Sequence, residues 1–224
     1  MPSPSSLLFS GGLDSAVLLA LELRDHGDVL PIHVRAGLAW EDAEAAAIAR
    51  LLAAPFAGHA RPVASLTIDM RDVYPASHWA VTGRPPAFDT PDEDVYLPGR
   101  NVALIAKASV LCAREGVSRL ALGPLAGNPF PDATPEFFDA FGRALSLGLD
   151  HPIAIAAPLA HLHKADVVRL GLDLGVPLGF TLSCMNPSPD GAHCGLCSKC
   201  RERRDAFLEA GVDDPSRYAT PPAR

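Results

Sequence analysis

The chain has 224 residues, 48% of them hydrophobic, which is long and apolar enough for one α/β unit with a buried core and a small appendage. Its formal net charge of −7 argues against a broad grip on a phosphate backbone, so no nucleic-acid partner is expected. No apolar run approaches the roughly 20 residues of a membrane helix, so no membrane partner is expected either.

Met1-Pro2-Ser3-Pro4 leads straight into an apolar segment rather than a signal sequence, and the expected location is cytoplasmic. The run Leu7-Leu8-Phe9 then breaks into Ser10-Gly11-Gly12, Leu13 and Asp14 follow, and a helix is predicted from about Ser15 to His26. A strand, a tight glycine turn and a helix start make an anion site, because free N–H groups and the helix dipole converge there. No lysine stands where a kinase-type loop needs one, and the dinucleotide pattern Gly-x-Gly-x-x-Gly is absent.

Further strands are predicted at 29–34, 63–68, 119–123 and 153–156, with helices at 41–54, 101–114, 135–146, 163–174 and 199–209. Alternation at this pitch implies right-handed crossovers and an α/β, doubly wound, mostly parallel five-stranded sheet. Thr134 is placed to cap the helix that Pro135 opens. Residues 69–98 have no period, and a loop of that length is functional or mobile, here a candidate lid over substrate. The expected division is a sheet domain at 1–178 and a metal-binding C-terminal region at 179–224, closed by a short polar tail.

Cys184, Cys194, Cys197 and Cys200 form C-x9-C-x2-C-x2-C in a proline- and glycine-containing loop. Four closely spaced thiolates suit one structural zinc per chain with no open position; an iron–sulfur cluster is the rival occupant. His193 reads as a neighbour of this set, and Cys112, inside an apolar helix, as a core residue. His33 reads as structural. Trp79 is the better of the two tryptophans for stacking on a base, and Arg201, Arg203 and Arg204 read as a solvated helix face.

The turn Ser10-Gly11-Gly12-Leu13-Asp14-Ser15 resembles the pyrophosphate loop of the ATP pyrophosphatases, the PP-loop superfamily. Taken with Pro98-Gly99-Arg100-Asn101, Phe130-Pro131-Asp132, Lys164 after Pro158-Leu159, Gly175-Val176-Pro177 before Thr181-Leu182-Ser183-Cys184, and the last three cysteines, it resembles the 7-cyano-7-deazaguanine synthase family along nearly the whole chain. The resemblance implies an adenine-nucleotide-hydrolase-like, Rossmann-like fold and a ligase that uses ATP and magnesium. The implied reaction converts 7-carboxy-7-deazaguanine and ammonia into the nitrile through an adenylated carboxylate and an amide. By matching motif, residues Phe9, Ser10, Gly11, Gly12, Leu13, Asp14 and Ser15 would bind ATP, with Asp14 and Lys164 as catalytic groups. Arg100, Asn101 and Asp132 would meet the substrate.

One segment departs from the family pattern: Asp-Tyr-Gly-Gln-Arg-His after the second strand is replaced by Arg35-Ala36-Gly37-Leu38-Ala39-Trp40. That change keeps open a divergent ligase that adenylates another carboxylate or joins the deazapurine acid to another amine. The implied partners are small molecules, and the apolar helix at 101–114 could serve a homodimer.

Overall fold

Alternation of side chains in the first strand decides how the sheet is covered. In β1 (Ser5–Leu8), Leu7 enters one buried cluster and Leu8 packs against the other, as successive residues of a strand must. The structure, a computed structural model, describes residues 3–222; Met1, Pro2 and the last two residues of the polar tail lie outside them.

The chain continues as α1 (Leu13–His26), β2 (Val29–Arg35), α2 (Glu41–Leu52), β3 (Ala64–Thr67), α3 (Trp79–Thr82) and α4 (Arg100–Arg114). It ends as β4 (Arg119–Ala121), α5 (Pro135–Leu149), β5 (Ala154–Ala156), α6 (Lys164–Asp173) and α7 (Ser198–Ala210). The five strands are all parallel, in the order β3-β2-β1-β4-β5. The chain winds outward from β1 to β3 and then resumes on the other side at β4. The switch point therefore lies between β1 and β4, where such sheets bind ligands beyond their carboxyl ends.

One face of the sheet packs Leu30, Ile32 and Val34 of β2 against Leu104, Ile105, Ala108 and Cys112 of α4 and Phe138 of α5. The other packs Leu7 against α1, Val167 and Val168 of α6, and Ala206 and Phe207 of α7. Residues beyond 179 enter both clusters, Cys184, Cys197 and Cys200 the first and Phe207 the second. Cys112 is fully buried, as its helix predicts, with Sγ 3.1 Å from Ser6 Oγ.

The element boundaries follow local chemistry. Thr134 accepts the Phe137 N–H at 3.2 Å, and α5 starts at Pro135. That helix runs three residues past the predicted end, until Asp150 turns left-handed. The α2 helix stops at Leu52, two residues early, ahead of Pro55 and its short 3-10 turn. Within 69–98 only α3 and a 3-10 turn at Asp92–Val95 are regular.

Candidate functional site

The turn after β1 is built so that nothing but glycine fits. Gly11 has φ +73°, and a Cβ there would lie 3.1 Å from the Ile48 backbone nitrogen and 3.2 Å from the Ala47 methyl. Gly12 is the N-cap of α1 and contributes no side-chain bond to the first-turn N–H groups. Ser10 Oγ accepts the Gly12 N–H at 3.3 Å and lies 3.3 Å from Ser15 Oγ, which donates to the Gly12 carbonyl at 3.1 Å. Phe9 is buried and its N–H donates to Ile32, while Leu13 is buried on the inner side of α1. Phe9 and Leu13 thus seat the turn, and Ser10, Gly12 and Ser15 present polar atoms to the cavity above it.

The helix dipole is joined there by a charged chain of side chains. Lys164, the first residue of α6, places Nζ 2.6 Å from Asp14 Oδ2 and 3.0 Å from Glu202 Oε1. Lys199 completes the chain at 2.5 Å from Glu202 Oε2. Burial works to lower the Lys164 ammonium, but Asp14 and Glu202 outweigh it and hold its pKa above the usual lysine value. Burial likewise raises the Glu202 carboxyl, and Lys164 and Lys199 overcome it and hold that group at about 2.

Across the cavity stands the start of α4. Gly99 adopts φ +76° to admit it, and Asp132 accepts the Asn101 backbone N–H at 3.2 Å and its side-chain amide at 3.3 Å. Burial raises the Asp132 carboxyl above the ordinary range, opposed by the Asn101 hydrogen bonds and the Arg100 charge. The cavity, of about 290 Å³, is lined by the turn, by Arg100, Asn101, Asp132, His33 and Glu44, and by the apolar Leu8, Val34, Leu104 and Leu122. Two buried polar atoms on its walls, Asp14 Oδ1 and Arg100 Nε, have no hydrogen-bond partner among the described residues. A buried acceptor and a buried donor in that condition are costly unless a ligand satisfies them. The cavity therefore gathers Ser10, Gly12, Asp14, Ser15, Arg100, Asn101 and Asp132, and Lys164 reaches it through Asp14.

The four predicted cysteines converge. All four Sγ atoms lie within 4.8 Å of one another, with 4.0 Å between Cys184 and Cys197, 3.8 Å between Cys194 and Cys200 and 3.5 Å between Cys197 and Cys200. Tetrahedral bonds of about 2.3 Å separate sulfurs by about 3.8 Å, so the spacing fits one such ion. Backbone N–H groups of Asn186, Cys194 and Leu196 point at Cys184 and Cys194 sulfurs within 3.3 Å, which suits thiolates. His193 stands outside the set: it is buried, accepts the Ser183 N–H at 3.1 Å, and is lowered to about 4, first by burial and then by Arg203.

One sequence expectation is overturned here. Arg203 is not on a solvated face: it is wholly buried, paired with Asp214 at 3.1 Å, and donates to Thr181 Oγ1 at 2.8 Å and the Leu178 carbonyl at 2.9 Å. The helix pattern alone could not show that the segment 178–183 covers this face of α7. The contact matters because the Leu182 N–H donates to the Gly11 carbonyl at 2.9 Å, so α7 supports the phosphate-type turn. Trp79 packs its ring 5.7 Å from Trp40 at 12° and 5.5 Å from His78, and both tryptophans line a second pocket shared with Ser10, Gly12 and Asp14. The 69–98 segment borders the site through Val95, Tyr96 and Leu97, and Arg201 fastens it by donating to the Thr90 carbonyl at 3.0 Å. Glu44, Glu202 and Tyr96 escaped sequence reasoning. Each stands in an ordinary helical or loop context; only the packing brings Glu44 and Tyr96 to the cavity wall and Glu202 to Lys164.

A glycine turn at a helix start, on the carboxyl edge of a doubly wound parallel sheet and beside its switch point, defines an α/β protein with a cavity where such sheets take their ligands. Residues 5–211 match the family described as "Queuosine biosynthesis protein QueC". Proteins named 7-cyano-7-deazaguanine synthase are similar over nearly their whole length. The protein of Methanospirillum hungatei is 30% identical, covering 94% of this chain and 97% of its own; that of Anaeromyxobacter dehalogenans is 38% identical, covering 95% and 94%. The Xanthomonas campestris protein is 35% identical, covering 95% and 96%. The chain belongs to the QueC family.

Proposed function

We propose that this protein is an ATP-dependent carbon–nitrogen ligase that converts 7-carboxy-7-deazaguanine and ammonia into 7-cyano-7-deazaguanine. The observation that carries the reading is the pair of unsatisfied atoms, Asp14 Oδ1 and Arg100 Nε, on two residues that line one cavity with the glycine turn. Family membership supports the substrate.

The substrate carboxylate attacks the α-phosphorus of ATP and pyrophosphate leaves. The open N–H groups at the start of α1 and the Gly11-Gly12 backbone receive the expelled charge, and Lys164 adds a cation held in register by Asp14 and Glu202. Ammonia then attacks the acyl carbon, loses a proton and expels AMP, which leaves an amide. A second ATP activates the amide oxygen in the same way, with loss of pyrophosphate, and departure of AMP together with the two amide N–H protons forms the nitrile. No side-chain nucleophile is required; the protein positions the reactants and stabilises charge. Arg100 and Asn101 hold the reacting carboxyl end, and Asp132 fixes Asn101.

Asp14 and the Ser10 and Ser15 hydroxyls offer the hard oxygen donors that magnesium takes, and magnesium would neutralise the phosphate charge of ATP. We assign zinc to Cys184, Cys194, Cys197 and Cys200, where four thiolates leave it a structural role. It would pin α7, and through Arg203 the turn, in place.

Mass spectrometry of the product formed from 7-carboxy-7-deazaguanine, ATP, magnesium and ammonium tests the reading. A nitrile with AMP release, lost in Asp14→Ala, is expected; ADP and free phosphate would overturn it. AMP without nitrile would favour the divergent ligase, the reading that the altered wall at Trp40 keeps in play.

A further inference from the structure

The segment after β2 that departs from the family pattern builds a polar cluster that the reaction above leaves unused. Trp40 donates its indole N–H to Glu44 Oε1 at 3.2 Å, and His33 Nε2 lies 3.3 Å from Glu44 Oε2. Glu44 is buried, its side chain 11% exposed, yet it lines the cavity shared with the glycine turn. Its place is dictated by packing: Ala47 and Ile48, about one helical turn further on, abut Gly11, so α2 holds Glu44 beside the phosphate-type loop.

An ionised carboxylate accepts hydrogen bonds and donates none, and its two oxygens offer about four acceptor sites. The indole and the imidazole occupy one on each oxygen. Glu44 lines the cavity together with Leu8, Val34 and Leu104 and with Tyr96 and Phe130, whose rings stack 5.2 Å apart. Apolar and aromatic side chains with an acceptor-only group among them suit a planar base whose edge carries N–H donors.

We propose that Glu44 is a specificity-determining residue that accepts the exocyclic amino N–H of a purine-type base, with Trp40 and His33 as positioning residues. This rests on the function proposed above, which brings two such bases to the site: the adenine of ATP and the deazaguanine acid. Their amino groups share the chemistry, and the test separates the sources.

Calorimetry compares ATP with purine riboside triphosphate, which lacks the 6-amino group, and 7-carboxy-7-deazaguanine with its analogue lacking the 2-amino group. In one arm the unaltered protein is expected to favour the amino-bearing base by roughly ten- to a hundred-fold, the worth of a hydrogen bond to a charged group. Glu44→Met should bring that ratio to within about threefold, and Glu44→Gln, which keeps a neutral acceptor, should restore part of it. The arm that collapses names the base. Where Glu44→Met fails to fold, Glu44→Gln decides. A ratio unchanged by substitution in both arms, or no preference in the unaltered protein in either, overturns the assignment. If the deazaguanine acid neither binds nor reacts while the ATP ratio collapses in Glu44→Met, the role of Glu44 stands and the proposed function falls.

Discussion

Lys164 and Asp14, 150 residues apart in the chain, meet at 2.6 Å where the starts of two helices face each other. With Glu202 on the other side of the ammonium, the pair joins the phosphate-type turn to the C-terminal helix. Lys164→Met leaves the partly buried Asp14 carboxylate without its cation and Glu202 with Lys199 alone. The expected loss is about 2 kcal/mol, below the 3–5 kcal/mol of a fully buried pair, because both side chains keep some solvent. Denaturant midpoints of Lys164→Met, Asp14→Asn and the double variant measure it, and additive losses would show that the two do not interact. AMP formation should fall at least about a hundred-fold in Lys164→Met, as expected when a charge-stabilising group is removed.

The same pair sets a pH dependence. The folded-state pKa of Lys164 is raised, so its contribution is complete below the unfolded lysine value of 10.5 and is lost as pH rises through the higher folded value. The stability gap between the unaltered protein and Lys164→Met should therefore stay flat from about pH 6 to about pH 10 and close only above that. A gap that closes near neutrality would contradict the ion pair.

Gly11→Ala tests the turn. The left-handed backbone disfavours a side chain, and at 3.1 Å from the Ile48 nitrogen a methyl would press on α2, which must yield by a few tenths of an ångström. A stability loss of about 1–3 kcal/mol is expected, together with loss of ATP binding by calorimetry. Unchanged nucleotide affinity would place the anion site elsewhere.

Metal removal should act at a distance. Elemental analysis is expected to find one zinc per chain, absent in Cys197→Ser. A strong chelator should lower the thermal midpoint and the activity together, because α7 buttresses the turn through residues 178–183. Iron with acid-labile sulfide in place of zinc would identify a cluster instead.

Arg203→Met isolates that buttress without touching the cysteines. It removes the cation beside Asp214, which keeps the Tyr218 hydroxyl and the Ser216 N–H, and one of the donors to the Leu178 carbonyl, at an expected cost of about 2–3 kcal/mol. At temperatures where the variant stays folded, its KM for ATP should rise while its metal content remains that of the unaltered protein.

Local signals carried much of this. Short apolar runs and the 3.6-residue pattern placed all five strands and the long helices, since strands buried on both faces read as continuous apolar runs and helices buried on one face repeat every 3.6 residues. The glycine turn and the cysteine spacing were legible because a left-handed backbone and a tetrahedral ligand set constrain residue type within a few positions. What the sequence could not supply were pairings across long separations: Lys164 with Asp14, Asn101 with Asp132, Trp79 with Trp40, and Glu44 at the cavity wall. Arg203 shows the reason most plainly. On α7 it has the spacing of a solvated side chain, and only the fold of 178–183 over that face, with Asp214 beneath it, turns a surface charge into a buried staple.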